Sequence, residues 1–279
     1  MVDHVMAKTL DEALKTMKKG TYKPIAGGTD LMVKHRSWAN TPPEFDNNML
    51  YLDKLDELKK IKAHETHLEI GSLTPYETIM DDERTPDMLK QCIRELASPA
   101  LRHVATLAGN IANASPAADA VLVLIALDAT ASIQSADAKR EVLVGELIQG
   151  PGKTGLEADE LIVSIMIPSH SFTHTLFKKV GGRKADAISK LAFAGGARVE
   201  EGVLKDLNIA LNAVGPVIVR DPRLEESYID KSVETLKADV DTLIEKFDAS
   251  ITPIDDQRSN KHYRRKVAHN LIRRFIDTL

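Results

Sequence analysis

Two short stretches, far apart along the chain, place small residues where a backbone could come close to a ligand. The first is Ile25-Ala26-Gly27-Gly28-Thr29-Asp30-Leu31. Tyr22 to Ala26 reads as a short strand, the glycines as a bend, and Leu31, Met32 and Val33 as the start of an apolar helical run. Strand, glycines and helix start together make a cradle of free backbone N–H groups suited to an anion. The second stretch leaves Leu96 through small residues to Thr106-Leu107-Ala108-Gly109-Asn110. Gly109 is open to conformations closed to other residues, and Asn110 and Asn113 bring amides that tolerate turns. Ser115-Pro116 then reads as a helix N-cap and first helical position, with Asp119 about one turn further and Val121 to Leu127 as the buried body. Such a surface suits a phosphate or the polar edge of a cofactor.

Other chemistries find no support in the spacing. No nucleophile–base–acid arrangement is legible, no metal-ligand cluster is visible, and the fingerprint Gly-x-Gly-x-x-Gly is absent. Gly150-Pro151-Gly152-Lys153-Thr154 matches part of a nucleotide-binding P-loop, but Leu147 stands where that pattern needs glycine, and Glu160 to Pro168 reads as a strand rather than a helix. ATP and GTP are therefore rejected as ligands of this loop. His64 and His67 lie three apart in an alternating segment, Ile61 to Ile70, which on one strand puts them on opposite faces and speaks against a shared metal. Arg102 and His103 sit near the second stretch with no obvious partner. Cys92 is the only cysteine, so neither an intrachain disulfide nor a cysteine-held iron–sulfur cluster belongs to this chain alone.

The two cradles and the Gly150–Thr154 loop, in this order and spacing, closely resemble the FAD-binding (medium) subunit of molybdenum hydroxylases. That family includes the flavin subunits of xanthine dehydrogenase, carbon monoxide dehydrogenase and nicotinate dehydrogenase, and the likeness spans nearly the whole chain. The resemblance implies an α+β fold: a two-part PCMH-type FAD-binding domain over residues 1–169, with subdomains about 1–55 and 56–169. A smaller α+β C-terminal domain of antiparallel strands and helices follows over 170–279.

It further implies that Ile25 to Leu31 holds the FAD diphosphate, that Thr106, Leu107, Ala108, Gly109 and Asn110 form the second wall, and that Asn113, Ser115 and Asp119 add polar contacts. Ile162 would lie against one flavin face and Leu96 near the other. Lys179 and Lys184 match a basic segment near the ring, where positive charge would stabilise anionic reduced flavin; plain solvent exposure is the other reading of both lysines. Thr29 stands where some related flavoproteins carry histidine, which implies non-covalent FAD. The implied role is an oxidoreductase subunit, receiving electrons from a small [2Fe–2S] subunit reduced by a large molybdopterin subunit and passing them to NAD+, NADP+ or another acceptor. A stand-alone flavin oxidoreductase and a non-catalytic assembly subunit with a decayed FAD site stay open beside it.

Composition agrees with a globular chain that must build its core from aliphatic residues. Of 279 residues 43% are hydrophobic and only 4% aromatic. A formal net charge of -4 gives no electrostatic reason for a nucleic-acid partner. No apolar stretch is long enough to span a bilayer, and Met1-Val2-Asp3-His4 lacks a secretory pattern, so no membrane partner and a cytoplasmic location are expected.

The elements that must carry the two cradles can be read in order. Residues 5–19 predict a helix through Val5, Leu10, Leu14 and Met17, Ser37 to Asn48 an irregular excursion, and Leu50 to Leu52 a strand. Helices are predicted over 75–80 and 88–96, a hairpin over 129–135 and 140–144, and strands over 175–180, 191–199 and 203–213. A helix over 223–236, another over 240–247 and a last one over 261–279 close the chain, with Arg264, Arg265, Arg273 and Arg274 as a solvated or partner-docking face.

Overall fold

The computed structural model describes residues 2–36, 42–183 and 186–279. The chain begins with strand β1 (His4–Met6), where the sequence pattern predicts helix. Val5 pairs with Leu50 instead of joining the helical stripe. Helix α1 (Leu10–Met17) follows, with Thr9 as N-cap accepting from the Glu12 amide and Ala13, Leu14 and Met17 buried. Strand β2 (Tyr22–Ile25), helix α2 (Leu31–Lys34) and strand β3 (Asn48–Tyr51) complete the first unit. Its sheet has the order β1-β3-β2 and both pairings are parallel. Parallel strands of one sheet need crossovers: α1 carries the chain from β1 over to β2, on the far side of β3. The first part of the expected excursion, residues 37–41, lies outside the described residues.

Strands β4 (Ile61–Ala63) and β5 (His67–Gly71) form a hairpin where a single alternating strand is expected. The turn brings His64 and His67 together with stacked rings, 4.4 Å between centroids, instead of onto opposite faces. His64 Nε2 also bonds Glu69 at 3.0 Å. Among the described residues, no group of three or more metal-ligating side chains could hold an ion.

Five helices come next: α3 (Tyr76–Asp81), α4 (Asp87–Arg94), α5 (Pro99–Arg102), α6 (Leu107–Asn113) and α7 (Asp119–Ala126). Strands β6 (Thr130–Gln134) and β7 (Lys139–Leu143), helix α8 (Val144–Leu147), the short pair β8 (Ile148–Gly150) and β9 (Lys153–Thr154), and strand β10 (Leu161–Pro168) follow. The larger sheet has the order β4-β5-β10-β6-β7 and is antiparallel throughout. Every residue of α7 is buried, as befits a helix that is apolar on nearly all sides.

The remaining sheet, antiparallel, runs β11 (His174–Val180), β12 (Leu191–Glu200), β13 (Val203–Asn212) and β14 (Val219–Arg220). Its small residues Ala192, Ala194 and Ala210 share one core with α7, so this helix is covered by the C-terminal sheet. The other face takes α9 (Pro222–Glu226), α10 (Val233–Ala238), α11 (Val240–Asp248) and α12 (Lys261–Asp277). Residues 223–236 are thus two helices, interrupted where Asp230 turns left-handed at φ 62° and donates its amide to Leu204. Arg274 is exposed as expected, but the other three arginines of α12 are engaged within the chain. Arg264 is buried, bonded to the Ala213 carbonyl and Asp256, while Arg265 and Arg273 pair with Asp248 and Asp241.

Candidate functional site: two bends in contact

Gly28 adopts φ +68°, a left-handed conformation that favours glycine. Gly27 is restricted for a different reason: a Cβ there would lie 1.8 Å from the carbonyl oxygen of Val104. The first bend therefore rests on the backbone that leads into the second. Side chains tie them further. Asn113 Nδ2 donates to Asp30 at 3.1 Å, and Lys34 Nζ donates to Asn113 Oδ1 at 2.5 Å. The second bend is steadied from behind, where the Tyr76 amide donates to Ala105 at 3.0 Å and Pro75 bridges Thr106.

The second bend is built differently from the sequence expectation. Thr106 is the N-cap of α6 and its hydroxyl accepts from the Gly109 amide at 3.1 Å, so Gly109 is an exposed helical residue rather than part of an open loop. Leu107, Ala108 and Ile111 are the buried face of this helix, and Ala114 ends it at φ 45°. Ser115 and Pro116 do not start the next helix. Ser115 instead accepts from the Ala117 and Ala118 amides in a turn, and α7 begins at Asp119. That turn is held on both sides: Gly152 donates to Ala114, and Ala213 donates to Pro116. The Gly150–Thr154 segment is the β8–β9 hairpin, with no helix behind it, as the rejection of a P-loop requires.

Several polar groups here are left over. Among the described residues, the amides of Gly27, Gly28, Thr29 and Asp30 have no hydrogen-bond acceptor. The Asn110 side-chain oxygen is buried without a partner, and so are the hydroxyls of Thr74 and Tyr76 on either side of Pro75. Each such buried group costs about 1–3 kcal/mol unless something meets it. Burial also pushes the Tyr76 hydroxyl well above its ordinary range, with Cys92, Asp30 and Asp119 adding to the shift. Around the bends, Met32, Val33, Leu101 and Val104 are exposed. A ligand with anionic oxygens and flat apolar rings fits this set: the free amides match a diphosphate, and the unpartnered oxygen and hydroxyls match donors and acceptors on the rest of FAD.

Asp119 and Lys179 form a buried ion pair at 2.9 Å, each side chain only 6% exposed. Ser189 and Asn212 donate to Asp119 Oδ1 at 2.6 and 2.8 Å, and Lys179 also donates to the Glu95 carbonyl at 2.9 Å. Solvent exposure of Lys179 is thus overturned, and its charge faces a carboxylate of its own chain. Lys184 lies outside the described residues. Ile162 is buried on β10 opposite Ile133. Leu96, partly buried just past α4, packs against the same core. Arg102, which has no partner legible in the sequence, pairs with Glu77 at 2.8 Å and reaches the Leu96 and Ala97 carbonyls, while His103 is exposed. Sequence reasoning missed Thr74, Tyr76, Glu77, Ser189 and Asn212. The adjacency of Pro75 to Thr106 that brings the first two beside the second bend leaves no local pattern.

Residues 1–170 match the family described as the FAD binding domain in molybdopterin dehydrogenase. This chain belongs to that family. Residues 176–279 match the CO dehydrogenase flavoprotein C-terminal domain. The glyceraldehyde dehydrogenase medium chain of Sulfolobus acidocaldarius is 30% identical, over 95% of this chain and 93% of its own length. The carbon monoxide dehydrogenase medium chain of Afipia carboxidovorans is 26% identical, over 99% and 95%. The fold superposes on a crystal structure of a Cu,Mo-CO dehydrogenase with a TM-score of 0.85, at 24% identity, covering 99% of this chain and 96% of that one. FAD is accordingly the cofactor, and the chain is a flavoprotein medium subunit of the molybdenum hydroxylase family.

Proposed function

We propose that this flavoprotein receives electrons from the [2Fe–2S] clusters of a small subunit, reduced in turn by a large molybdopterin subunit, and passes them through FAD to NAD+ or another acceptor. What supports the reading is the contact between the bends at Gly27 and Val104, beside four amides with no acceptor among the described residues. When bound, FAD supplies the redox chemistry, taking electrons singly and releasing them as a hydride. The protein's part is to bind, orient and shield. The amides of Gly27 to Asp30 would hold the diphosphate against Thr106–Asn110, while the Asn110 oxygen would accept from a hydroxyl or N–H elsewhere on FAD. Ile162 and Leu96 border the ring faces, and Ser115 lines the turn beside them.

The Asp119–Lys179 pair fixes the wall between them, and Lys184 belongs to the basic segment expected near the ring. Thr29 offers no covalent attachment of the histidine kind. Residues 1–169 form the FAD-binding domain in this reading and 170–279 the C-terminal domain that covers α7. With Cys92 the sole cysteine, a cysteine-held cluster must come from a partner chain. Titrating FAD into the full chain tests the first half: stoichiometric flavin absorbance is expected, and none at saturation would sink it. Co-expression with the partner subunits tests the second. Substrate-driven NAD+ reduction should need every subunit, and the chain alone should oxidise no organic substrate.

A further inference from the structure

The link between α4 and α5 is held by two cations from different elements, Lys179 on β11 and Arg102 on α5. Lys179 takes the Glu95 carbonyl at 2.9 Å, and Arg102 Nη1 takes the next two, Leu96 at 3.3 Å and Ala97 at 3.4 Å. Ala97 is left-handed at φ 51°, a conformation an alanine keeps only when its surroundings impose it. The guanidinium is itself fixed by Glu77 on α3, through Nε at 2.8 Å, and the two side chains are only 12% and 20% exposed. One planar group thus meets two successive carbonyls of the segment that carries Leu96.

We propose that Arg102 is a positioning residue for the cofactor: it holds the Leu96–Ala97 backbone so that Leu96 closes one side of the flavin site. This rests on the placement of FAD given above. A lysine could still reach Glu77, but a point charge cannot present a rigid fork to a carboxylate and two carbonyls at once. With the fork gone, Ala97 relaxes, Leu96 swings, and water reaches the ring.

The test uses the full chain loaded with FAD and the variants Arg102→Lys, Arg102→Met and Glu77→Gln. Four quantities are read: the FAD dissociation constant, iodide quenching of flavin fluorescence, the flavin midpoint potential and Tm. Both Arg102 variants should bind FAD about tenfold more weakly, quench more readily and shift the potential. Arg102→Lys should keep a Tm near that of the parent, since its pairing with Glu77 survives, which separates ring exposure from unfolding. Glu77→Gln still offers an acceptor to Nε and should resemble the parent in quenching and potential. Parental quenching and potential in both Arg102 variants, whatever their Tm, would overturn the proposal and leave Arg102 a purely structural residue. Failure of the parent chain to take up FAD is a separate result: it removes the site itself, before any variant is compared.

Discussion

Helices α7 and α2 follow the two halves of the candidate site and are treated in opposite ways. At the start of α7, Asp119 is met by Lys179, Ser189 and Asn212. At its end, the carbonyls of Ile125, Ala126 and Leu127 accept from Arg220 at 2.6 Å, Asn208 at 2.7 Å and His170 at 2.8 Å. All these partners lie beyond residue 169, so the C-terminal part of the chain satisfies the groups that a helix cannot satisfy itself. At α2 only Asn113 reaches in, to Asp30 and Lys34, no residue is buried, and the amides before it have no acceptor among the described residues. Saturated groups here belong to architecture, and unsaturated ones wait for a ligand.

If that division holds, changes on the two sides should fail differently. Asp119→Ala strands Lys179 in the interior and should cost about 3–5 kcal/mol in denaturant unfolding; adding Lys179→Met should restore most of the loss. Full stability of the single variant would break the comparison at its strongest point. Gly27→Ala must part the two bends, and FAD titration should show binding about 100-fold weaker, near the upper end of overpacking costs. Asn110→Ala removes an oxygen that has no partner among the described residues. Its unfolding midpoint without FAD should not fall, while FAD affinity drops about tenfold.

The pH dependence probes the other side. Burial works against a charged His170, yet Asp206, the Leu127 carbonyl and Asp128 hold its pKa above the ordinary 6.5. A raised folded-state pKa contributes stability that is complete below about pH 6.5 and fades as the pH climbs through the folded value. His170→Gln should flatten unfolding free energy across that window, and an unchanged slope would deny the histidine its part. Smallest of all, Val33→Ser on exposed α2 should alter stability by no more than about 0.5 kcal/mol.

Local chemistry made one half of this picture legible and hid the other. The strand from Tyr22, the glycine bend and the helix start at Leu31 each follow from neighbouring residues, and the structure has all three. Strand β1 was hidden because three residues carry too little pattern, and its partner β3 lies more than forty residues away. Ser115-Pro116 mimics a helix start, but the true one is set by Asp119, whose donors come from β11, β13 and the segment before β12. His64 and His67 looked like residues of one strand because nothing between them announces a turn. The clamps on α7 join residues 43 to 95 positions apart, a reach at which side-chain type gives no hint of pairing.

A helix gripped at both termini by one sheet behaves as a ruler of fixed length. Each residue advances the axis about 1.5 Å and turns it about 100°. Adding or deleting a single position between Asp119 and Ala126 would throw one set of anchors out of phase with Asn208 and Asn212 on β13, whichever set stayed engaged. Indels in this protein should therefore be tolerated in its surface hairpins and refused here, independently of which residue is inserted.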